Sequence, residues 1–285
     1  MVKHYYEKGY SISMICKVLG ISRSSYYKHQ KRVKPEKEKR DEQLCELITE
    51  YHTTFDGILG YRRMTIFINR LNQTNYSEKY IHRLMKYLNI KARIRRKKVN
   101  RKKSKPDYTK ENILNRNFKA ERPNEKWLTD ITEFSIPGDS RKLYLSPIMD
   151  LYDNSIIEYN ISFRNNNQIV FKMFDNARKK YPDAKPIFHS DRGFQYTSKI
   201  FKNKIEQAGM VQSMSRVGKC IDNGPMEGFF GTLKSEMFYG KKFKSLEELK
   251  EKIIEYITFY NEKRFQKGLK CLTPFEYRNQ ALQIA

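Results

Sequence analysis

Three acidic residues in the second half of this 285-residue chain stand where a carboxylate needs an explanation. Asp130 lies in KWLTDITEFSI at 126–136, in phase with Leu128, Phe134 and Ile136, so on a strand it belongs to a largely apolar face. A lone carboxylate there is costly to bury and needs a hydrogen-bond network, a counter-ion or a metal. Asp191 ends the short apolar run of PIFHSDRGFQY, where Gly193 permits a tight departure. Ligands of open α/β sheets gather at strand carboxyl ends, although Asp is also ordinary turn chemistry. Glu227 follows D-N-G-P at 222–225; Pro225 suits the first helical position and Asp222 or Asn223 the cap, so Glu227 falls in a first helical turn. A glutamate there also complements the helix dipole. Phe230, Gly231 and Lys234 follow one and two turns on, a small residue and a cation that would leave room for a phosphate and grip it.

Each acid has a plain structural alternative. Taken together, on two strands and a helix, they make a carboxylate cluster for divalent metal. Mg²⁺ prefers oxygen ligands, and two such ions roughly 3.5–4 Å apart stabilise the attacking and leaving oxygens of a phosphodiester. Other acids fit less well. Glu133 faces the opposite side of its strand, Asp153 precedes Asn154 in a turn, and Asp150 stays as a lower-ranked alternative. His189 reads as a packing or loop-orienting residue rather than a ligand.

The elements that must hold these residues are legible in outline. Residues 126–136, a PGDS turn, KLYLSPIMDLY, a DN turn and SIIEYNISF predict three consecutive antiparallel strands. A helix over 167–180, the strand PIFHS, a helix over 197–208, the strand MVQSMS, and helices over 225–238 and 245–262 follow. This is the element order of the ribonuclease-H-like α/β fold.

The first half is helical and basic. Lys and Arg outnumber Asp and Glu by 57 to 32, a net +25 that argues against an ordinary metabolic enzyme and for an anionic partner. Residues 1–120 hold 30 basic and 11 acidic side chains, net +19, against 27 and 21, net +6, in 121–285. At 91–105, KARIRRKKVNRKKSK, ten of fifteen residues are basic and too few are apolar for a membrane-binding face. It reads as an arm contacting phosphates through Arg95, Arg96, Lys97 and Lys98. Within 12–32, Ile12, Ile15, Val18 and Leu19 mark one helix face, Gly20 a stop and Ser22 the next cap. That helix-turn-helix pattern offers Arg23, Ser24 and Tyr26 to DNA. Helices over 41–52, 60–72 and 77–88, the last capped by Ser77, form a second small unit exposing Arg62 and Arg63 of GYRRM.

The expected division is a helix-turn-helix segment at 1–40, a small helical DNA-binding domain at 41–90, a basic linker at 91–120 and a catalytic domain at 121–285. An aromatic content of 13% excludes a disordered basic tail. The absence of a long apolar run or signal peptide predicts a cytoplasmic, nucleoid-associated protein with no membrane partner. Four cysteines without a C-x-x-C pair read as reduced thiols.

The motifs W-x-T-D-I-T at 127–132, H-S-D-R-G-x-Q-Y at 189–196 and D-N-G-P-M-E-G-F-F-G-T-L-K-S-E at 222–236 resemble the catalytic core of OrfB-type transposases of the IS-three family, within the DDE transposases and retroviral integrases. The 35 residues between Asp191 and Glu227 match that family's spacing. L-G-I-S-R-S-S-Y-Y at 19–27, G-Y-R-R at 60–63, R-L-M at 83–85, Y-N-E-K-R at 260–264 and T-P-F-E-Y-R at 273–278 are similar to its flanking motifs. Many members have His where Gln266 stands, so no role is assigned there.

The resemblance implies a ribonuclease-H-like integrase catalytic core preceded by a small all-α helix-turn-helix region. It implies that Asp130, Asp191 and Glu227 are the metal-binding catalytic triad and that Lys234 contacts DNA from the catalytic helix. It also implies Mg²⁺ as cofactor, as two ions, with Mn²⁺ as a substitute. The implied partners are the element's terminal inverted repeats, target DNA, further copies of the chain on that DNA and an upstream-frame product. The alternative is a non-catalytic DNA-binding regulator or domesticated remnant, which need not keep the acids and their spacing. A structure-selective nuclease of the same fold would cut without joining, and a membrane-surface protein would bind liposomes despite competitor DNA.

Overall fold

Six helices precede the first strand in a computed structural model that describes residues 1–93, 111–216 and 220–284. After α1 (Val2–Glu7), α2 (Ile12–Val18) and α3 (Arg23–Gln30) are each capped by a serine: Ser11 accepts from the Met14 amide and Ser22 from that of Ser25. Gly20, at φ +66°, makes the break between them. The inner stripe of α2 is Ile12, Ile15, Cys16 and Leu19, which is the i, i+3, i+4, i+7 set. Val18, expected on that face, is 78% exposed, and Cys16 takes its place.

Helices α4 (Glu36–Thr54), α5 (Tyr61–Asn72) and α6 (Glu78–Tyr87) build a separate core from Leu44, Ile48, Met64, Phe67, Ile68, Ile81, Leu84 and Met85. Ser77 caps α6 as expected, accepting from the Tyr80 amide. The first helix starts earlier than predicted, because Glu36 and Glu38 in its first turn suit the positive end of the helix. Phe265 and Phe259 from the C-terminal part of the chain also enter this core. The arm residues Arg95, Arg96, Lys97 and Lys98 lie outside the described residues.

The second half forms a six-stranded sheet: β1 (Lys126–Thr129), β2 (Thr132–Phe134), β3 (Leu143–Asp150), β4 (Ile156–Ser162), β5 (Ile187–Ser190) and β6 (Val211–Met214). The predicted strand 126–136 is interrupted at Asp130 and Ile131. Both halves keep one antiparallel register along β3, with Leu128 opposite Met149 and Thr132 opposite Leu145. The interruption therefore inserts no residue and lies across from Ser146 and Pro147. Pro147, opposite Asp130, has no N–H to donate to a ladder, and the Ile131 amide donates to the Asp130 carboxylate at 2.8 Å. β4 runs along the other edge of β3, while β5 and β6 extend the sheet in parallel from β1.

Strand alternation gives the sheet two different faces. Trp127, Ile148 and Phe188 meet α7 (Asn167–Lys180) and α8 (Lys199–Gln207). Leu128, Phe134, Leu143 and Leu145 meet α9 (Gly224–Leu233) and α10 (Leu246–Glu262). The predicted helix 225–238 stops being α-helical at Leu233 and continues as a π-helical turn, Lys234–Phe238. A last helix, α11 (Pro274–Ile284), was not expected. Among the described residues no helix is long and apolar enough to cross a membrane.

Candidate active site

The parallel register of β1 and β5 sets Leu128 against His189. Carried two residues further, it brings Asp130 level with Asp191, each the first residue beyond the carboxyl end of its strand. Local backbone fixes both side chains: Asp130 Oδ1 accepts from the Ile131 amide and Asp191 Oδ1 from the Gly193 amide, each at 2.8 Å. A Cβ at Gly193 would stand 3.0 Å from Asp191 Oδ1 and 3.0 Å from Gln195 Oε1, so a side chain there would press on the carboxylate. Tyr196, 1% exposed, lies below the pair with its hydroxyl 3.1 Å from Thr129 Oγ1. Burial pushes its phenol well above the usual range, and the charges of Asp130 and Asp191 push the same way. One buried hydroxyl thus senses both carboxylates.

Glu227 is in the first turn of α9, as predicted, and is exposed. Met226, Phe229, Phe230 and Leu233 press this helix onto the sheet face to which Leu128 belongs. Its two ends are tied to the two sides of the Asp130 break. At the start, the buried Asn223 side chain donates from Nδ2 to the Thr129 carbonyl at 3.1 Å. At the end, Lys234 Nζ donates to Thr132 Oγ1 at 2.6 Å and to the Glu133 carbonyl at 2.8 Å, and lies 4.7 Å from the Phe134 ring centroid. Lys234, expected at DNA, is 7% exposed.

The capping role expected of Asp222 or Asn223 is not what these side chains do. Asn223 occupies the N-cap position without a side-chain cap bond. Asp222, fully buried, receives Arg216 through Nε and Nη2 at 2.9 Å each, Arg116 Nε at 2.7 Å and Asn112 Nδ2 at 2.9 Å. Arg216 first and Arg116 after it hold that carboxyl well below the usual range against the effect of burial. The D-N pair anchors the segment before α9. Only its place in the longest motif could have hinted at this.

The remaining candidates find structural settings. Asp150 and Asp153, both fully buried, share Arg278 Nη1 at 2.8 Å each, so Asp150 belongs to an ion cluster closed by α11. Burial, then the Asp150 charge, raises the Asp153 carboxyl. Glu133 faces solvent and pairs with Lys142. His189 sits between Ser213 Oγ at 2.9 Å and Ser215 Oγ at 3.1 Å, and burial lowers it to about 4, which keeps the ring neutral.

Of the other residues read as contacting DNA, Arg23 and Ser24 are exposed on α3, and the Tyr26 hydroxyl accepts from Gln30. Arg62 and Arg63 belong to a different unit: Arg62 lies 3.7 Å from Glu78, and Arg63 is bonded to Glu236 at 2.7 Å.

Among the described residues, no three His, Cys, Asp or Glu side chains are grouped closely enough to hold a metal ion as they stand. The donor set still suits a hard divalent cation, being carboxylate oxygen throughout, with two donors set by adjacent strands and a third on an exposed helical turn with longer reach.

Integrase core domain models match residues 120–220 and 227–282, and an HTH-like domain model matches 39–98, which covers most of α4 and all of α5 and α6. The chain is 43% identical over 273 residues to the putative transposase InsK for insertion sequence element IS150 of Escherichia coli K12, covering 95% of this chain and 94% of that one. It is 30% identical to the transposase InsF for insertion sequence IS3A of the same organism, over 98% of this chain and 97% of that one. A chain from the solved structure of the simian T-cell lymphotropic virus intasome with a PP2A regulatory subunit superposes with a TM-score of 0.49 at 14% identity, over 82% of this chain and 74% of that one. With its acids placed as described and relatives of this identity along nearly its whole length, the chain belongs to the IS-three family of insertion-sequence transposases, built on an integrase core.

Proposed function

We propose that Asp130, Asp191 and Glu227 are the carboxylates at which this transposase cuts and joins DNA, with Mg²⁺ as the ion they hold. The family's chemistry depends on a divalent metal. The observation that carries the residue assignment is the register that levels Asp130 with Asp191 at two adjacent strand ends, with the start of the Glu227 helix bonded to Thr129 beside them. A divalent ion bound there would promote deprotonation of the attacking hydroxyl and offset charge on the phosphate and the leaving oxygen. Asp130 and Asp191 are rigid donors on backbone-fixed turns. Glu227 supplies the adjustable one, and the apolar contacts of α9 hold its helix against the sheet.

In the reading proposed here, water first attacks a phosphodiester at the element end and leaves a 3′-hydroxyl. That hydroxyl then attacks a target phosphodiester and displaces its 3′-oxygen, so one bond forms for each broken and no covalent protein intermediate is needed. The helical region, 1–40 and 41–90, and the basic arm grip terminal repeats and target DNA as a homo-oligomer, with an upstream-frame product as a further partner. The division at 91–120 and 121–285, and a cytoplasmic, nucleoid-associated setting, belong to the same reading. The test is cleavage and joining of a duplex bearing the element's terminal repeat by the purified chain with Mg²⁺. Asp191→Asn and Glu227→Gln should each remove both reactions and keep DNA binding; full activity in either variant would refute the assignment.

A further inference from the structure

Two motif arginines from distant parts of the chain meet at the buried carboxylate of a third motif residue, one that the proposed reaction does not use. Glu236, in the π-helical turn that continues α9, is 7% exposed. It receives Arg264 Nε at 3.0 Å on one oxygen and Nη2 at 2.9 Å on the other, and the Tyr256 hydroxyl at 2.8 Å. Those partners belong to α10 and the segment just after it. The fourth bond, from Arg63 Nη1 at 2.7 Å, comes from α5 in the HTH-like unit. Burial alone would raise the Glu236 carboxyl, but Arg264 and Arg63 outweigh it and hold it below the usual range. A second ion pair joins the same stretch to the same unit: Lys241, three residues past the turn, reaches Asp56 at 2.7 Å. Phe67 against Phe265, at 4.8 Å between ring centroids, supplies apolar contact beside them.

The π-helical turn therefore faces two ways. Lys234 fastens it to β2, just past the Asp130 break, and Glu236 fastens it to the HTH-like unit. We propose that the Arg63–Glu236 contact is a positioning device that sets the HTH-like unit in register with the Glu227 helix, so that DNA held by the first is presented to the second. Arg63 acts through Glu236 and not on a phosphate. This rests on the reading of Glu227 as catalytic and of the helical unit as DNA-binding.

The test compares full-length Arg63→Ala and Arg63→Lys with wild type on a duplex bearing the element's terminal repeat. Affinity is measured across a salt series and cleavage rate at saturating duplex with Mg²⁺. For Arg63→Ala the expected result is affinity within about twofold and an unchanged salt slope, with the saturated rate down about tenfold or more. Arg63→Lys, whose ammonium can still reach Glu236, should recover part of the rate. A wild-type saturated rate, or a loss of affinity with the salt slope reduced by about one, would overturn the proposal and make Arg63 a phosphate contact or a bystander. Should Arg63→Ala not fold, Arg63→Lys is judged by the same criteria, with a smaller loss of rate expected. Glu227→Gln on the same duplex tests the catalytic assignment separately. Should the wild type not cut, that assignment fails and melting decides the coupling. Fluorescence of Trp127, the only tryptophan, reports the catalytic core, and far-ultraviolet dichroism reports all helices. Their midpoints should coincide in the wild type and part in Arg63→Ala; coincidence in both would overturn the proposal.

Discussion

Truncating Asn223 tests whether the bond at the start of α9 serves chemistry or only stability. Its side-chain nitrogen donates to the carbonyl of Thr129, the last strand residue before Asp130, and the asparagine is 3% exposed. Asn223→Ala removes the donor and leaves a buried carbonyl unpaired, a loss of about 1–3 kcal/mol in unfolding free energy. The same change frees the first helical turn, which carries Glu227, from the strand that carries Asp130. Displacements of about 1 Å in a catalytic constellation cost on the order of 100-fold in rate, so even partial release should lower cleavage about tenfold or more at saturating DNA and Mg²⁺. Asn223→Asp keeps the shape but turns a carboxylate toward the carbonyl. Its rate should be lower still at neutral pH and should improve relative to wild type as the pH falls and the new carboxyl gains a proton to donate. The assays are urea unfolding followed through Trp127 and single-turnover cleavage of a terminal-repeat duplex. Variants that lose the predicted stability yet cut at the wild-type rate would show that the bond holds the fold without aligning the acids.

Two other predictions concern the buried ionisable groups. His189 is lowered from an ordinary 6.5 to about 4, so the folded state excludes a proton that the unfolded chain accepts. Its contribution is present above pH 6.5 and lost as pH falls toward 4. Between pH 7.5 and 5 this amounts to about 2 kcal/mol, which should appear as the difference in pH slope between wild type and His189→Gln in urea unfolding; equal slopes would rule it out. Arg278→Met strips two fully buried carboxylates, Asp150 and Asp153, of their shared cation and should cost about 3–5 kcal/mol at neutral pH. Because burial and the neighbouring charge raise Asp153, this loss should shrink as pH falls and Asp153 takes up a proton; a loss that is constant between pH 7 and 5 would contradict it.

What the sequence disclosed follows the range of each interaction. Periodicity is local, so α7 was predicted at its observed bounds, and the caps expected of Ser22 and Ser77 needed only neighbours within three residues. The interruption at Asp130 inserts no residue, so Leu128 and Phe134 keep the common phase expected of them and both join the core that α9 covers. The interruption itself was hidden, since it lies across from Pro147, a residue on the facing strand that no local pattern pairs with Asp130. Val18 was misplaced because two stripes fit so short a helix and only the packing of Cys16 chooses between them.

Motif residues separate along the same line. Asp222, Asn223, Glu236 and Arg278 all stand in stretches quoted for their resemblance to transposases, yet each has a bonding partner far away in sequence: Arg116 for Asp222, Thr129 for Asn223, Arg63 for Glu236 and Asp150 for Arg278. A basic side chain in a basic protein invites a phosphate assignment, and Arg63 and Lys234 both attracted one. Charge composition cannot distinguish a cation offered to solvent from one committed to a buried acid. Arg63, bonded to a carboxylate more than 170 positions away, is committed in that sense. The net charge of the first half is therefore an upper bound on what DNA can draw upon, and part of it ties the HTH-like unit to the turn that continues the Glu227 helix.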